Sequence, residues 1–161
     1  MQVRRVGVGD VETVRALRLH ALLDSPEAFG STHEREAAFP DRVWVARLGT
    51  PSNATLICEA DGGACGMVTV VRDDSDPDLG RLVGMWVAPS ARRTGAADLL
   101  VTAALQWAEQ ESLTTVRLCV VDGNDRAARL YRRHGFNPTG RSFVGPRAGV
   151  TEVEMERTPS A

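Results

Sequence analysis

The sequence predicts a mixed α and β fold, with helices interleaved among the strands of a mostly antiparallel sheet. Three observations predict it. Apolar runs of strand length recur along the chain, separated by polar and glycine-containing breaks. Two of them, Thr55–Ala60 and Ala64–Val71, are joined by Asp61-Gly62-Gly63, a tight hairpin turn. A third run, Leu82–Val87, leads through a loop of small residues into the strongest amphipathic segment, Asp98–Glu111, which is the order strand, loop, helix.

Taken from the N-terminus, Gln2–Val6 reads as a short strand. Asp10 is a good helix cap, and Val14, Leu17 and Leu22 set a helical stripe over Val11–Leu23. Asp24-Ser25-Pro26 breaks that helix. Glu27–Phe39 is a weakly amphipathic, acidic helical segment with a soft spot at Phe29-Gly30. Over Asp41–Leu48 the run VWVARL is short enough for a strand, but Pro40 before it and Gly49 after it favour a helix. Asp73–Gly80 is a polar loop. In Asp98–Glu111 one face carries Leu100, Ala103, Ala104, Trp107 and Ala108. Thr115–Val121 is a strand, and Asn124–His134 is a helix with Asn124 as cap and Gly135 just past its end. Strands around Gly140–Val144 and Val150–Arg157 close the chain, and the last residues read as frayed.

Composition narrows the function classes. The 161 residues suit one domain spanning 1–161, and 43% apolar with 25% charged residues is ordinary for a globular protein. A net charge of −2 and a pI near 5.9 argue against a nucleic-acid partner, which would draw a basic excess. Every basic residue is arginine apart from the histidines, so the lysine of a nucleotide-binding P-loop is missing. No run approaches the roughly 20 apolar residues that span a bilayer, so no membrane association is expected. Cys58, Cys65 and Cys119 are odd in number and lack metal-ligand spacing. They read as buried reduced thiols of a cytoplasmic protein with no metal site. Gly62-Gly63-x-x-Gly66 lies in a hairpin rather than between a strand and a helix, so it is not a dinucleotide loop.

The loop VAPSARRTGAA, Val87–Ala97, is where the chemistry concentrates. Its backbone N–H groups and the positive end of the following helix suit a phosphate-bearing ligand. The pattern Pro89-x-x-Arg92-x-x-Gly95-x-Ala97 resembles the coenzyme A signature of the GCN5-related N-acetyltransferase (GNAT) superfamily. Asn124-x-x-Ala127-x-x-Leu130-Tyr131-x-x-x-Gly135-Phe136 is similar to that superfamily's downstream motif, at the expected distance. The resemblance covers most of the chain. It implies a twisted sheet splayed at its centre with helices on both faces, acetyl-CoA as co-substrate, and transfer of its acetyl group to a primary amine by direct attack.

Site residues follow from the same resemblance. Arg92, Arg93, Thr94, Gly95, Ala96 and Ala97 would receive the pyrophosphate, with Gly95 and Ala97 letting backbone approach it. Backbone at Met85, Trp86 and Val87 would meet the pantetheine arm and polarise the thioester carbonyl. Asn124 would hold that arm by its amide, or serve only as a helix cap. Tyr131 matches the general acid that protonates the leaving thiolate, and its helical position equally suits a core tyrosine. Arg126, Arg129 and Arg133 share one helical stripe that would meet the 3′-phosphate or stand as a solvated face.

The chain also departs from the pattern. Arg93 and Ala97 stand where glycine is frequent, and Asp98 brings a negative charge near the phosphates. The candidate gap strands LVGMWV and VRLCVV show no carboxylate for a general base, and Cys119 is a poor one. Water chains to Glu27, Glu34, Glu59 or Asp122 remain open. The acceptor region offers Asp24, Glu27, Phe29, Glu34, Glu36 and Phe143. Acid with aromatic suits a cationic amine, and a polar solvated loop suits the same residues equally well. Small molecules and protein N-termini are both open as acceptors, as is a homodimer. The rival reading is a coenzyme A-binding or sensor domain of the same fold with little or no catalysis.

Overall fold

The computed structural model describes residues 1–145 and 149–158. Among these residues seven strands form one sheet: β1 (Gln2–Arg5), β2 (Asn53–Ala60), β3 (Gly63–Arg72), β4 (Leu79–Val87), β5 (Thr115–Val121), β6 (Asn137–Val144) and β7 (Thr151–Arg157). Their order across the sheet is β1-β2-β3-β4-β5-β7-β6. Every neighbouring pair is antiparallel except β4 and β5, which are parallel. Among the described residues five α-helices accompany them: α1 (Val11–Asp24), α2 (His33–Ala37), α3 (Asp41–Gly49), α4 (Ala96–Gln110) and α5 (Asp125–Arg133).

The period-two alternation of β2 and β3 decides which helix covers which face. Leu56, Cys58, Val68 and Val70 pack with Leu100, Val101, Ala104 and Leu105 of α4. Ile57 and Met67 turn the other way, onto Val14, Leu17 and Ala21 of α1. Helices therefore lie on both faces. Gly66 marks where α4 presses closest: a Cβ there would stand 3.0 Å from Leu100 Cδ1 and 3.1 Å from the Trp86 carbonyl. Each fully buried leucine of this layer contributes about 2 kcal/mol relative to exposure.

Most elements fall where the residue pattern puts them, and the differences have local causes. Asp10 stands at the start of α1 but does not cap it. A 3₁₀ turn, Val8–Asp10, precedes the helix, and the carboxylate folds back to accept from Gly7 N–H at 3.0 Å and from Arg4 at 2.9 Å. The Glu27–Phe39 segment is a 3₁₀ turn at Pro26–Ala28 followed by the short α2. Extended backbone at Phe29 separates the two, and Thr32 Oγ1 starts α2 afresh by accepting from Arg35 N–H at 3.2 Å. Helix α4 opens two residues earlier than its apolar face implies, because Gly95 at φ +93° turns the chain into it. Cys58 and Cys65 are buried, but Cys119 is exposed. On β5, Val116, Leu118 and Val120 point into the core, so Cys119 faces away from it. The expected fraying at the C-terminus falls on residues outside those described.

Candidate active site in the gap between two parting strands

Strands β4 and β5 begin as neighbours and then separate. Their parallel pairing covers only Leu79–Arg81 against Thr115–Arg117, while β4 runs on to Val87 and β5 to Val121. A bulge drives the parting. The β3–β4 register passes from Met67↔Trp86 to Thr69↔Val83, so β4 carries one extra residue at Gly84-Met85, and Gly84 takes φ +63°. Beyond the bulge, Ala88 N–H donates to Cys65 O on β3 at 2.8 Å. Strand alternation then aims the N–H groups of Val87 and Met85 at the opposite edge, into the gap.

At the end of β4 the chain enters the loop before α4. Ala91 and Ala96 are buried, while Arg93, Thr94 and Gly95 are exposed. Gly95 takes φ +93° and Arg93 φ +64°, two left-handed residues that leave the first amides of α4 without carbonyl partners. The first intrahelical bond runs from Leu99 N–H to Gly95 O at 3.0 Å. The N–H groups of Ala96, Ala97 and Asp98 thus stand open at the positive end of a 15-residue helix. A Cβ on Gly95 would meet nothing within 4 Å. Within the chain itself, conformation rather than crowding calls for glycine at that position, and the space beside it is open to a ligand.

Arg92 is used differently from its motif neighbours. Its Nε donates to Val87 O at 3.1 Å and its Nη2 to Asp24 Oδ2 at 2.5 Å. Trp86 Nε1 donates to the same oxygen at 3.0 Å. Bonds from Ser25 and Trp86, with Arg92 beside them, hold the Asp24 carboxyl down at about 2. Asp24, the last residue of α1, thus ties the loop to the helix on the other face of the sheet. Arg92 is a brace here, although its guanidinium still borders the cleft. The side chains of Thr94, whose hydroxyl donates to Ala91 O, and of Ala96, packed in the core, turn away from the cleft.

Two cavities occupy the gap. One, of about 390 Å³, runs from Arg92, Arg93, Gly95 and Ala97 to Met85, Val87 and Tyr131. The other, of about 380 Å³, continues past the bulge to Phe29, Arg18, Cys119 and Glu152. Met85, Asn124, Ala127 and Tyr131 wall both, so the two are halves of one cleft. Tyr131 is 7% exposed, with its ring edge-on to Phe136 at 5.8 Å. Burial pushes its phenol up to about 12, so it is a neutral hydroxyl at neutral pH. No side-chain bond engages that hydroxyl among the described residues. Asn124 Oδ1 accepts from Ala127 N–H at 3.2 Å, which caps α5 and leaves the amide NH₂ for the cleft.

Asp98 does not confront the loop amides as a bare charge. Arg133 Nη2 donates to its two oxygens at 3.0 and 3.1 Å, and His134 Nε2 lies 2.9 Å from Oδ1. Burial pushes its carboxyl up, but bonds to His134 and Arg133 prevail and lower it. Arg133 is thus partly committed to Asp98 while still bordering the cleft. Arg126 also borders it, and Arg129 does not.

The acceptor half is built from residues other than most of those the composition suggested. Phe29 lines it, with the Arg18 guanidinium 4.7 Å from its ring centre. Glu27, Glu34 and Phe143 are exposed and outside both cavities. Glu36 is buried, forked by Arg18 at 2.9 and 3.1 Å and bonded by Arg47 at 2.8 Å. Desolvation opposes its charge, yet the two arginines bring the carboxyl to about 2. The carboxylate that does line this half, Glu152, comes from β7, and Arg81 and Arg117 line the same half further along β4 and β5, where Arg117 pairs in register with Glu156. A visible signal for it was the alternation Glu152-x-Glu154-x-Glu156, which puts three carboxylates on one face of a strand.

The open amides, the left-handed loop and the cleft at the parted strands fit an elongated ligand with a phosphate-bearing end, as coenzyme A has. This sheet and cleft define the N-acetyltransferase fold. The chain belongs to the acetyltransferase (GNAT) family, whose model matches residues 16–136. Uncharacterized N-acetyltransferases of Mycobacterium tuberculosis and Mycobacterium bovis are 34% identical over 94 residues, 58% of this chain and 58% of those proteins. Among solved structures, a GNAT acetyltransferase from Streptococcus pneumoniae superposes with TM-score 0.85 at 18% identity over 98% of each chain. The Salmonella typhimurium protein yncA, solved with its cofactor acetyl-CoA, gives 0.77 at 19% identity, covering 98% of this chain and 93% of that one.

Proposed function

We propose that this protein transfers the acetyl group of acetyl-CoA to a primary amine by direct attack, with both substrates bound together in the one cleft. The observation that carries this reading is that Met85 and Tyr131 wall both halves of the cleft. Whatever enters from the loop end and whatever enters from the Phe29 end meet beside those residues, with Ala28, Asn124 and Ala127 around them. Arg93, the amides of Ala96 and Ala97, and Arg133 would hold the phosphates, and the Asn124 amide the arm between. Acetyl-CoA supplies an acyl group on a good thiol leaving group.

The chain's own contribution is positioning, charge stabilisation and one proton. Of the gap-facing N–H groups of Met85 and Val87, one donates to the carbonyl oxygen as it gains negative charge and the other pairs with the pantetheine arm. A neutral amine forms the C–N bond as the C–S bond breaks, so no protein nucleophile is needed. The Tyr131 hydroxyl donates its proton to the departing sulfur, and the nitrogen loses one, which balances the exchange. Thiol release from acetyl-CoA in the presence of a panel of amines tests this. Steady release with at least one acceptor is the expected result. Binding of coenzyme A without turnover on any acceptor would overturn it and assign the fold to sensing.

A further inference from the structure

We infer that the acceptor is a small primary amine that also carries a carboxylate, with the carboxylate received by Arg18 and the amine by Glu152. This rests on the acetyl-transfer reading and adds the class of acceptor to it. It also reverses the cationic acceptor that the acidic composition of the first helices suggested.

Charge bookkeeping in the acceptor half carries the inference. Four charged side chains line it: Arg18, Arg81, Arg117 and Glu152. Arg81 Nε is bonded to Asp73 at 2.8 Å and Arg117 Nε to Glu156 at 2.6 Å, so each of those is compensated. Arg18 is different. Its Nε and Nη2 fork Glu36, but Glu36 is shared with Arg47, and two guanidiniums on one carboxylate leave a positive charge over. Arg18 Nη1 has no bond among the described residues. It lies 3.9 Å from where a Cβ on Gly84 would stand, beside Met85, where the acyl group would lie.

The opposite wall carries the complementary sign. Glu152, Glu154 and Glu156 alternate on β7 and pair in register with Val121, Cys119 and Arg117 of β5. Arg141 and Thr139 bond Glu154, and Arg117 bonds Glu156. Among the described residues Glu152 has no cationic partner, and it is the carboxylate that borders the acceptor half. Its charge also helps raise the neighbouring Cys119 thiol, behind the larger effect of partial desolvation in the cleft wall, which keeps that thiol protonated.

One donor of positive charge beside the acyl position and one carboxylate across from it match an amine–carboxylate pair on a small molecule. Partly desolvated charges gain most from a ligand that supplies both opposite partners. A polyamine would instead set a second positive charge against the uncompensated Arg18. In the transfer step Glu152 accepts the proton that the nitrogen sheds as the C–N bond forms, and Tyr131 protonates the sulfur as the C–S bond breaks.

The test compares matched acceptors with the full-length protein: amino acids such as leucine and phenylalanine, their decarboxylated twins isopentylamine and phenethylamine, and spermidine. At least one amino acid should show kcat/KM about tenfold or more above its twin. Calorimetry with coenzyme A present should show the same preference in binding. Equal or better use of the twins or of spermidine overturns the acceptor class and leaves acetyl transfer standing. No turnover of any amine, with coenzyme A still bound, overturns both readings. Arg18→Lys keeps the charge and loses the fork; it should raise KM for the amino acid about tenfold and leave KM for acetyl-CoA alone. Unchanged preference for the amino acid in that variant overturns the role of Arg18. Should it not fold, Glu152→Gln decides, with acceptor turnover falling about tenfold at unaltered acetyl-CoA KM.

Discussion

Asp24 and Arg92 meet across 68 residues of chain, the carboxylate ending α1 and the guanidinium lying in the loop before α4. Trp86 Nε1 shares the same carboxylate oxygen, so one acidic side chain fixes the end of β4 and the loop that follows it. Asp24→Asn keeps the shape and loses the charge. It should raise KM for acetyl-CoA about three- to tenfold with little change in kcat at saturation, because the loop amides lose their fixed orientation rather than their chemistry. Steady-state kinetics at varied acetyl-CoA checks it, and an unaltered KM would detach the brace from cofactor binding.

Tyr131→Phe should lower kcat by more than about tenfold while coenzyme A affinity, measured by calorimetry, barely moves. The ring still packs edge-on against Phe136, so the circular dichroism spectrum should not change. The wild-type phenol, pushed up to about 12 by burial, keeps its proton across the neutral range. Loss of activity from Tyr131 ionisation is therefore expected only as pH approaches that value. A descending limb near pH 8 would have to come from another group.

Gly95 holds φ +93° with open space where a Cβ would go. Gly95→Ala should cost about 1 kcal/mol in stability through the left-handed backbone alone. Relaxation of that strain would turn the amides of Ala96 and Ala97 away, so coenzyme A binding should weaken more than stability does. Gly95→Val should abolish binding in a protein that remains folded. Thermal melts with and without coenzyme A separate the two effects.

Glu36 is a buried carboxylate held by two arginines. Glu36→Ala leaves both guanidiniums without their anion and should cost about 3 kcal/mol, read as a lower urea midpoint. Its folded-state value near 2 lies below the ordinary 4.5, so the unfolded chain takes up the proton first as pH falls. The stabilisation is complete above about pH 4.5 and lost as pH drops toward 2. Urea midpoints across that window should fall in the wild type and fall less steeply in Glu36→Gln.

The sequence alone determined the local parts: the hairpin at Asp61-Gly62, the loop from Arg92 to Ala97, the amphipathic α4, the cap of α5 by Asn124, and the motif order that marks the family. These depend on residues within a few positions of one another, where backbone preference and periodicity act directly. Only the tertiary structure decided that Arg92 braces on Asp24, that Asp98 is balanced by Arg133 and His134, and that Glu27, Glu34 and Phe143 stand outside the cleft. It also brought Glu152 into the acceptor half, because β7 inserts between β5 and β6 and lays its carboxylates beside Cys119 and Val121. Such pairings join residues dozens of positions apart. Strand order and register set them, and no short-range pattern in the chain encodes either.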